Sequence, residues 1–248
     1  MLRKWLDADQ PRLLVAGHVL TTGNGACLVD RWPGPRLALA VSGSNYALVG
    51  DERAADADAL RPHITGSVEA TAAFARVLHE VDPCLHEWRR INHLQPAMPA
   101  QAAISDADVR RLSAADAGHL QALSPLSSWI SDTWGGPSGL AASGMAFGAF
   151  VERRLASVAC PFFITERFED LGVVTEPEFR GRGLSPACAA AVCADVRKRG
   201  RQPSWTTLPD NSQSLRVAEK LGFVEHHREV LWVIRHEVPK PADLPGAP

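Results

Sequence analysis

The stretch Leu171-Gly172-Val173-Val174-Thr175-Glu176-Pro177-Glu178-Phe179-Arg180-Gly181-Arg182-Gly183-Leu184 constrains this chain more than any other. It predicts a strand, a tight turn and a helix in immediate succession. Leu171 to Thr175 is a short apolar, β-branched run of the kind a buried strand needs. Pro177 ends it, because proline has no N–H to give to a ladder. Gly181 and Gly183 bracket Arg182, and an alanine-rich segment follows. The first N–H groups of a helix have no partner inside it, and with the helix dipole they favour an anion. Two residues without Cβ let a ligand approach the backbone closely. Arg180 and Arg182 add charge in a planar fork that suits phosphate oxygens. The turn reads as a diphosphate cradle, or as a strand-to-helix turn with two solvated arginines.

A second segment lies about thirty residues on: Asn211-Ser212-Gln213-Ser214-Leu215-Arg216-Val217-Ala218-Glu219-Lys220-Leu221-Gly222-Phe223. Together the two resemble the GNAT superfamily of acetyl-CoA-dependent N-acetyltransferases. That family's pyrophosphate loop has the form Val-x-Pro-x-x-Arg-Gly-x-Gly, with Thr175 here in the valine position. Its later segment has the form Asn-x-x-Ser/Ala…Lys-Leu-Gly-Phe. The resemblance covers roughly residues 101–236. It implies acetyl-CoA bound by Val173, Val174, Thr175, Arg180, Gly181, Arg182, Gly183, Leu184, Ser185 and Asn211. It also implies an α/β fold for those residues, a carboxy-terminal mixed sheet flanked by helices.

Composition narrows the class. The 248 residues allow one or two domains, and 46% hydrophobic content is enough for a core. Twenty-six basic residues against 28 acidic ones give no general nucleic-acid surface. No apolar run reaches membrane-span length, and Met1 to Asp7 lacks a signal-peptide core. A soluble cytoplasmic protein is expected. The five cysteines, Cys27, Cys84, Cys160, Cys188 and Cys193, lack metal-ligand spacing and read as small buried apolar residues, so no metal is expected.

Residues 1–100 read as a smaller amino-terminal α/β lobe, either a decayed GNAT-like lobe or a packing and substrate-shaping domain. Arg12–Leu20, Ala26–Arg31, Arg36–Val41, Tyr46–Val49 and His86–His93 are strand candidates. Glu52–Leu60 reads as a surface helix, and Ser67 as the cap of a helix carrying Phe74, Val77 and Leu78. Gly23-Asn24-Gly25 is a hairpin turn or a ligand loop. Gln95 to Ala100, with two prolines, reads as a linker, and 237–248 as a disordered proline-rich tail. Between them, 101–236 reads as strand, two short helices, a mobile loop at Gly135–Gly139, a hairpin turning at Glu152-Arg153-Arg154, then strand Phe168–Thr175. A helix from about Gly183 to Arg199, a strand, a helix capped by Asp210 or Asn211 and a closing strand complete it.

The chemistry implied is attack of an amine on a thioester. A lysine-like amine of pKa near 10.4 needs about 4.6 kcal/mol to lose its proton at pH 7. A base therefore matters, and the carbonyl oxygen needs a donor as charge develops. The family places that donor on the strand before the loop, near Val173 or Val174, and a glutamate near that strand's start. Glu169 is the candidate base, with Asp170 its alternative should the register shift by one; a solvated strand-end carboxylate is the bland reading. Many relatives carry a tyrosine in the last helix to protonate the thiolate; Ala218 stands there, and Tyr46, the chain's one tyrosine, is distant. Ser214 is the substitute, or it only bonds the helix backbone. Trp129, Asp132 and Trp134 belong to the segment that shapes the acceptor site in this family, unless the tryptophans are core. His226 and His227, adjacent on a strand, cannot both face a site. The expected partner is a small-molecule or peptide amine; neither nucleic acid nor membrane is expected. The amino-terminal lobe can serve as interface or lid, which leaves a homodimer open. The competing function is a CoA-binding or sensing protein without turnover.

Overall fold

The computed structural model describes residues 2–6, 9–97 and 108–237. Residues 98–100 of the expected linker and nearly all of the expected tail lie outside these. In chain order the elements are α1 (Leu14–Thr22), β1 (Ala26–Val29), β2 (Leu37–Ser42), β3 (Asn45–Gly50), α2 (Ala57–Leu60), β4 (Gly66–Glu69), α3 (Ala75–Val81), β5 (His86–Leu94), β6 (Asp108–Arg111), α4 (Ala117–Gln121), α5 (Pro137–Ser143), β7 (Phe147–Val151), β8 (Arg154–Ile164), β9 (Phe168–Thr175), α6 (Leu184–Lys198), β10 (Gln202–Thr207), α7 (Ser212–Lys220) and β11 (Val224–Ile234). They gather into two compact units, one holding residues up to 90, 164–166 and those from 229, the other 91–163 and 167–228. The chain passes between units within β5 and within β11. Among the described residues, no helix is long and apolar enough to cross a membrane.

The first unit is a mixed sheet. β1 pairs antiparallel with β2, β2 antiparallel with β3, β3 parallel with β4, and β4 antiparallel with the last residues of β11. Its core joins Leu39, Leu48, Ile64, Phe74, Leu78 and Ile234, and includes Tyr46. Here the sequence misleads most. Arg12–Leu20 reads as a strand, but Leu14–Thr22 is helical. A short apolar run does not separate a buried helix from a buried strand, and tertiary contacts decide. The Glu69 carboxylate accepts the Val15 N–H (3.1 Å) at the helix start, and the buried His18 Nδ1 accepts the Ile164 N–H (3.0 Å). The expected helix Glu52–Leu60 is two short pieces, because Asp51 and Asp56 each cap their own turn. Ser67 caps nothing: it lies in β4, paired with Asn45 and Val233.

The second unit is built from β6, β7, β8, β9, β10 and the end of β5, in that spatial order. β6–β7 and β7–β8 are antiparallel, β9–β10 is parallel, and β10 runs antiparallel to Ile91–Leu94 of β5. The expected hairpin is present: Glu152 and Arg153, both at positive φ, form the two-residue turn, the geometry that matches strand twist. The expected mobile loop at Gly135–Gly139 is instead two capping glycines, Gly135 and Gly136, followed by the start of α5, with Pro137 in its first turn. Proline fits there because that N–H has no helical partner. Gln95 does not open a linker: it is buried, donates to the Leu221 carbonyl (2.7 Å), and accepts from Arg197 Nε (3.0 Å).

Helix α6 lies on the sheet through Cys188, Ala189, Val192, Cys193 and Val196, which meet Ala149, Ala156, Ala159, Leu171 and Trp205. Small side chains on both sides allow the close approach. Burying each Val or Leu fully contributes about 1.5–3 kcal/mol. Three of the five cysteines are buried as expected, and burial pushes the Cys188 and Cys193 thiols up to about 12. Cys84 is exposed and Cys27 half-buried, contrary to expectation.

Candidate active site

Strand β9 and helix α6 carry the loop singled out in the sequence. Pro177–Phe179 forms one 3₁₀ turn after the strand, and Gly181 and Gly183 both sit at φ +74°. A side chain at either position is strained by the backbone alone, because L-residues rarely adopt that region. Among the described residues nothing lies within 4 Å of where either Cβ would stand, so the space above both glycines is open. Gly183 is the N-cap of a 15-residue helix, so the N–H groups of Leu184 and Ser185 begin it without intrahelical acceptors. Arg182 is exposed, its guanidinium 5.8 Å from the Phe179 ring, while Arg180 Nε reaches back to the Thr175 carbonyl at 3.4 Å. The loop is anchored at its root. The buried Glu176 accepts from the Ser124 N–H and hydroxyl (3.2 and 3.1 Å), and Glu178 pairs with Arg154 (2.6 Å).

Beside this loop the sheet forks. Pairing between β9 and β10 covers Phe168–Gln202, Glu169–Pro203 and Asp170–Ser204. β9 then continues to Thr175, while Ser204–Thr207 pair on their other edge with β5. The two faces of the fork differ. Leu171 and Val173 turn toward α6. Gly172 turns the other way, where an added Cβ would meet Ile130 Cδ1 at 2.8 Å, Phe162 Cβ at 3.2 Å and Trp129 Cζ3 at 3.4 Å.

The candidate base Glu169 is fully buried, at 0 % exposure. Arg199 grips it with two bonds (Nε–Oε1 3.0 Å, Nη2–Oε2 2.6 Å), and Arg201 adds a third (3.2 Å). This carboxylate ties the end of α6 to the sheet. Its neighbour Asp170 lies at the last paired position and on the Gly172 face. Asp170 Oδ1 accepts the Ser204 hydroxyl (2.8 Å) and the Thr206 hydroxyl (2.9 Å).

Ser214 lies in the first turn of α7, where Asn211 accepts its N–H (3.1 Å) as the helix cap. Its Oγ also accepts the Trp205 indole N–H (2.9 Å), which leaves the Ser214 hydroxyl proton to be donated elsewhere. Sequence reading missed Trp205, a buried residue on β10. Ala218 is buried in the same cluster as Trp205 and Phe223. In the 128–134 turn Trp129 is half-buried, edge-on to Phe162 at 5.2 Å. Trp134 is core: its indole donates to the Pro161 carbonyl (2.8 Å). Asp132 is exposed, although partial burial of its carboxyl pushes its pKa up. His226 and His227 bring their rings together, 3.0 Å between Nδ1 atoms.

A sequence profile of GNAT acetyltransferases matches residues 14–229. The chain belongs to the GNAT acetyltransferase family. The match begins well before residue 101, so the family likeness takes in most of the amino-terminal lobe as well. An uncharacterised N-acetyltransferase of Streptomyces virginiae is 41% identical over 187 residues, covering 73% of this chain and 78% of that protein. Among solved structures, a GCN5-related N-acetyltransferase-like protein from Streptococcus suis aligns over 91% of this chain and 94% of its own, with TM-score 0.70 and 19% identity. A GCN5-related N-acetyltransferase from Kribbella flavida covers 92% and 98%, with TM-score 0.64 and 13% identity. This GNAT protein is an enzyme of the acetyltransferase class, on the α/β mixed-sheet architecture expected of it.

Proposed function

We propose that this enzyme moves an acetyl group from acetyl-CoA to a primary amine by direct transfer in a ternary complex. The observation that carries the reading is the open loop at Arg180–Ser185. Two left-handed glycines sit at the start of a helix fixed to the sheet, beside a fork between parallel strands. The diphosphate rests on the N–H groups of Gly181 to Ser185, with Arg180 and Arg182 alongside and Asn211 shaping the start of α7. The pantetheine arm enters the fork, where the edge of Val173, Val174 and Thr175 supplies a backbone N–H to the thioester carbonyl. Such a donor removes on the order of 3 kcal/mol from the barrier.

The amine approaches on the Gly172 face, between Trp129 and Asp132. Asp170, rather than the clamped Glu169, takes its proton; the nitrogen lone pair forms the C–N bond, and the C–S bond breaks. The departing thiolate is stabilised by a hydrogen bond from the Ser214 hydroxyl, whose oxygen accepts the Trp205 N–H, and the thiolate takes its proton from solvent. The test is the thermal midpoint with and without acetyl-CoA, followed by mass analysis against a panel of amines. Ligand at about 100 times its dissociation constant adds about 2.7 kcal/mol of stability. A shift with an acetylated product is the expected result. Ala218 at the family's tyrosine position favours a second reading, CoA binding without turnover, which a shift with no product across the panel would support.

A further inference from the structure

Three strands meet at the fork through side chains as well as backbone. Asn92 of β5 is the register partner of Thr206 on β10, and Ser204 is that of Asp170 on β9. Asn92 Nδ2 donates to Thr206 Oγ1 (2.9 Å), and Thr206 Oγ1 donates to Asp170 Oδ1 (2.9 Å). Asn92 is 0 % exposed, yet its Oδ1 has no hydrogen-bond partner among the described residues. A buried amide oxygen without a donor is uncommon and calls for a reason.

The chemistry of the three groups supplies one. Asp170 without a proton only accepts, so Thr206 must donate to it, and Thr206 must in turn receive from the Asn92 NH₂. Asp170 with a proton can donate to Thr206, whose own proton then needs an acceptor. The Asn92 amide offers that acceptor after turning by half a revolution about its terminal bond, since its oxygen and NH₂ are nearly the same in shape. Each orientation leaves one amide atom unpaired. Neither protonation state is therefore penalised relative to the other. We infer that Asn92 and Thr206 are positioning residues for Asp170, forming a hydrogen-bond chain that reverses direction when Asp170 takes up a proton. Its use in turnover rests on Asp170 being the group that receives the amine's proton. No other reactant is needed: the proton arrives from the amine and leaves to solvent.

Other titratable or charged groups on elements of this face include Asp132, in the 128–134 turn, Cys160 on β8, whose sulfur contacts the Ile130 carbonyl at 3.6 Å, and Arg90, which shares the Asn92 face of β5 and is ion-paired with Glu229 (2.9 Å) and Glu69 (3.7 Å). Glu169, with Arg199 and Arg201, projects from the opposite face of β9, and His93 alternates away from Asn92 on β5.

The experiment is a carbon-13 NMR titration of protein labelled at the aspartate carboxyl carbon, with the Asp170 signal assigned by its loss in Asp170→Asn. Thr206→Val removes a donor that favours the ionised form, and raises the Asp170 midpoint by about one unit. Asn92→Leu leaves Thr206 donating to the carboxylate but removes the acceptor that the protonated form requires, so the midpoint falls. Opposite signs for the two variants establish the two-way chain. A rise in Asn92→Leu, or no change, overturns it, because an amide that only donates to Thr206 cannot lower the midpoint when removed. If Asn92→Leu does not fold, Asn92→Ala carries the same sign test. Intact acetyl transfer by Asp170→Asn would remove the base assignment while leaving the titration to decide the chain.

Discussion

The two ends of α6 face opposite demands. Its first turn follows two glycines at positive φ, with open space above them and exposed Arg182 alongside. Its last turn is bound by ions: Arg199 pairs with Glu169 and Asp195, Arg111 with Asp195, and Arg201 with Glu169. One end keeps backbone donors available, and the other removes every degree of freedom it can. A helix that must present a rigid row of N–H groups to an anion needs its far end fixed, since tilt at either end moves both. The contrast also explains why two adjacent carboxylates on β9 have different work. Glu169 faces the helix and is gripped by arginines; Asp170 faces the Gly172 side, where we place the acceptor, and accepts the Ser204 and Thr206 hydroxyls.

Asp170→Asn is the sharpest way to break this division. It removes the proton acceptor while keeping the shape, and acetyl transfer to any amine the panel identifies should fall about 10²–10⁴-fold with acetyl-CoA affinity little changed. Steady-state rates and calorimetric titration measure the two quantities separately. Glu169→Ala attacks the bound end instead. It leaves two arginines partly buried without their carboxylate, and should lower stability by about 3–5 kcal/mol in denaturant unfolding. If it lowered turnover without changing stability, the assignments of Glu169 and Asp170 would be exchanged.

Ser214→Ala should reduce turnover about tenfold through loss of the hydrogen bond to the departing thiolate, a smaller contribution than the base makes, and leave acetyl-CoA binding intact. An unchanged rate would assign the hydroxyl to Trp205 and helix packing alone.

The bound end also carries a pH signature. Burial pushes the Asp195 pKa up, but hydrogen bonds from Arg111 and Arg199 outweigh it and hold the group below its ordinary value. A depressed folded pKa gives stability that is present above the unfolded value and lost as pH falls through the folded one. The thermal midpoint should therefore drop below about pH 4, and Asp195→Asn should flatten that drop. Asp116 adds to the same limb, since hydrogen bonds from Arg110 and from Ser113 hold its pKa far down despite burial.

The open end of α6 was legible in the sequence, and its bound end was not. Strand, loop and helix from Phe168 to Lys198 follow from local cues: β-branched residues, Pro177, paired glycines, an alanine-rich run. Asn211 as cap is equally local. The clamp on Glu169 depends on Arg199 and Arg201, thirty or so residues away, and no spacing rule announces which neighbouring carboxylate they take. Asn92 and Trp205 were invisible for the same reason, because each gains its role only from cross-strand pairing. In the first unit, α1 defeated the reading because nothing in Leu14–Leu20 encodes the Glu69 carboxylate waiting at its first turn. Gly136-Pro137 was read as a loop when proline was marking a helix start.

The central claim is that acetyl-CoA rests on the backbone of the Gly181–Ser185 turn, and calorimetric titration of acetyl-CoA into wild type and Gly183→Val tests it most directly. Valine at φ +74° strains the turn and redirects the first N–H groups of α6. The account predicts measurable binding by the wild-type protein and at least a hundredfold weaker binding by a variant whose circular dichroism stays native (about 2.7 kcal/mol or more). Equal affinity in the two proteins would mean that the diphosphate is held elsewhere and would contradict the account.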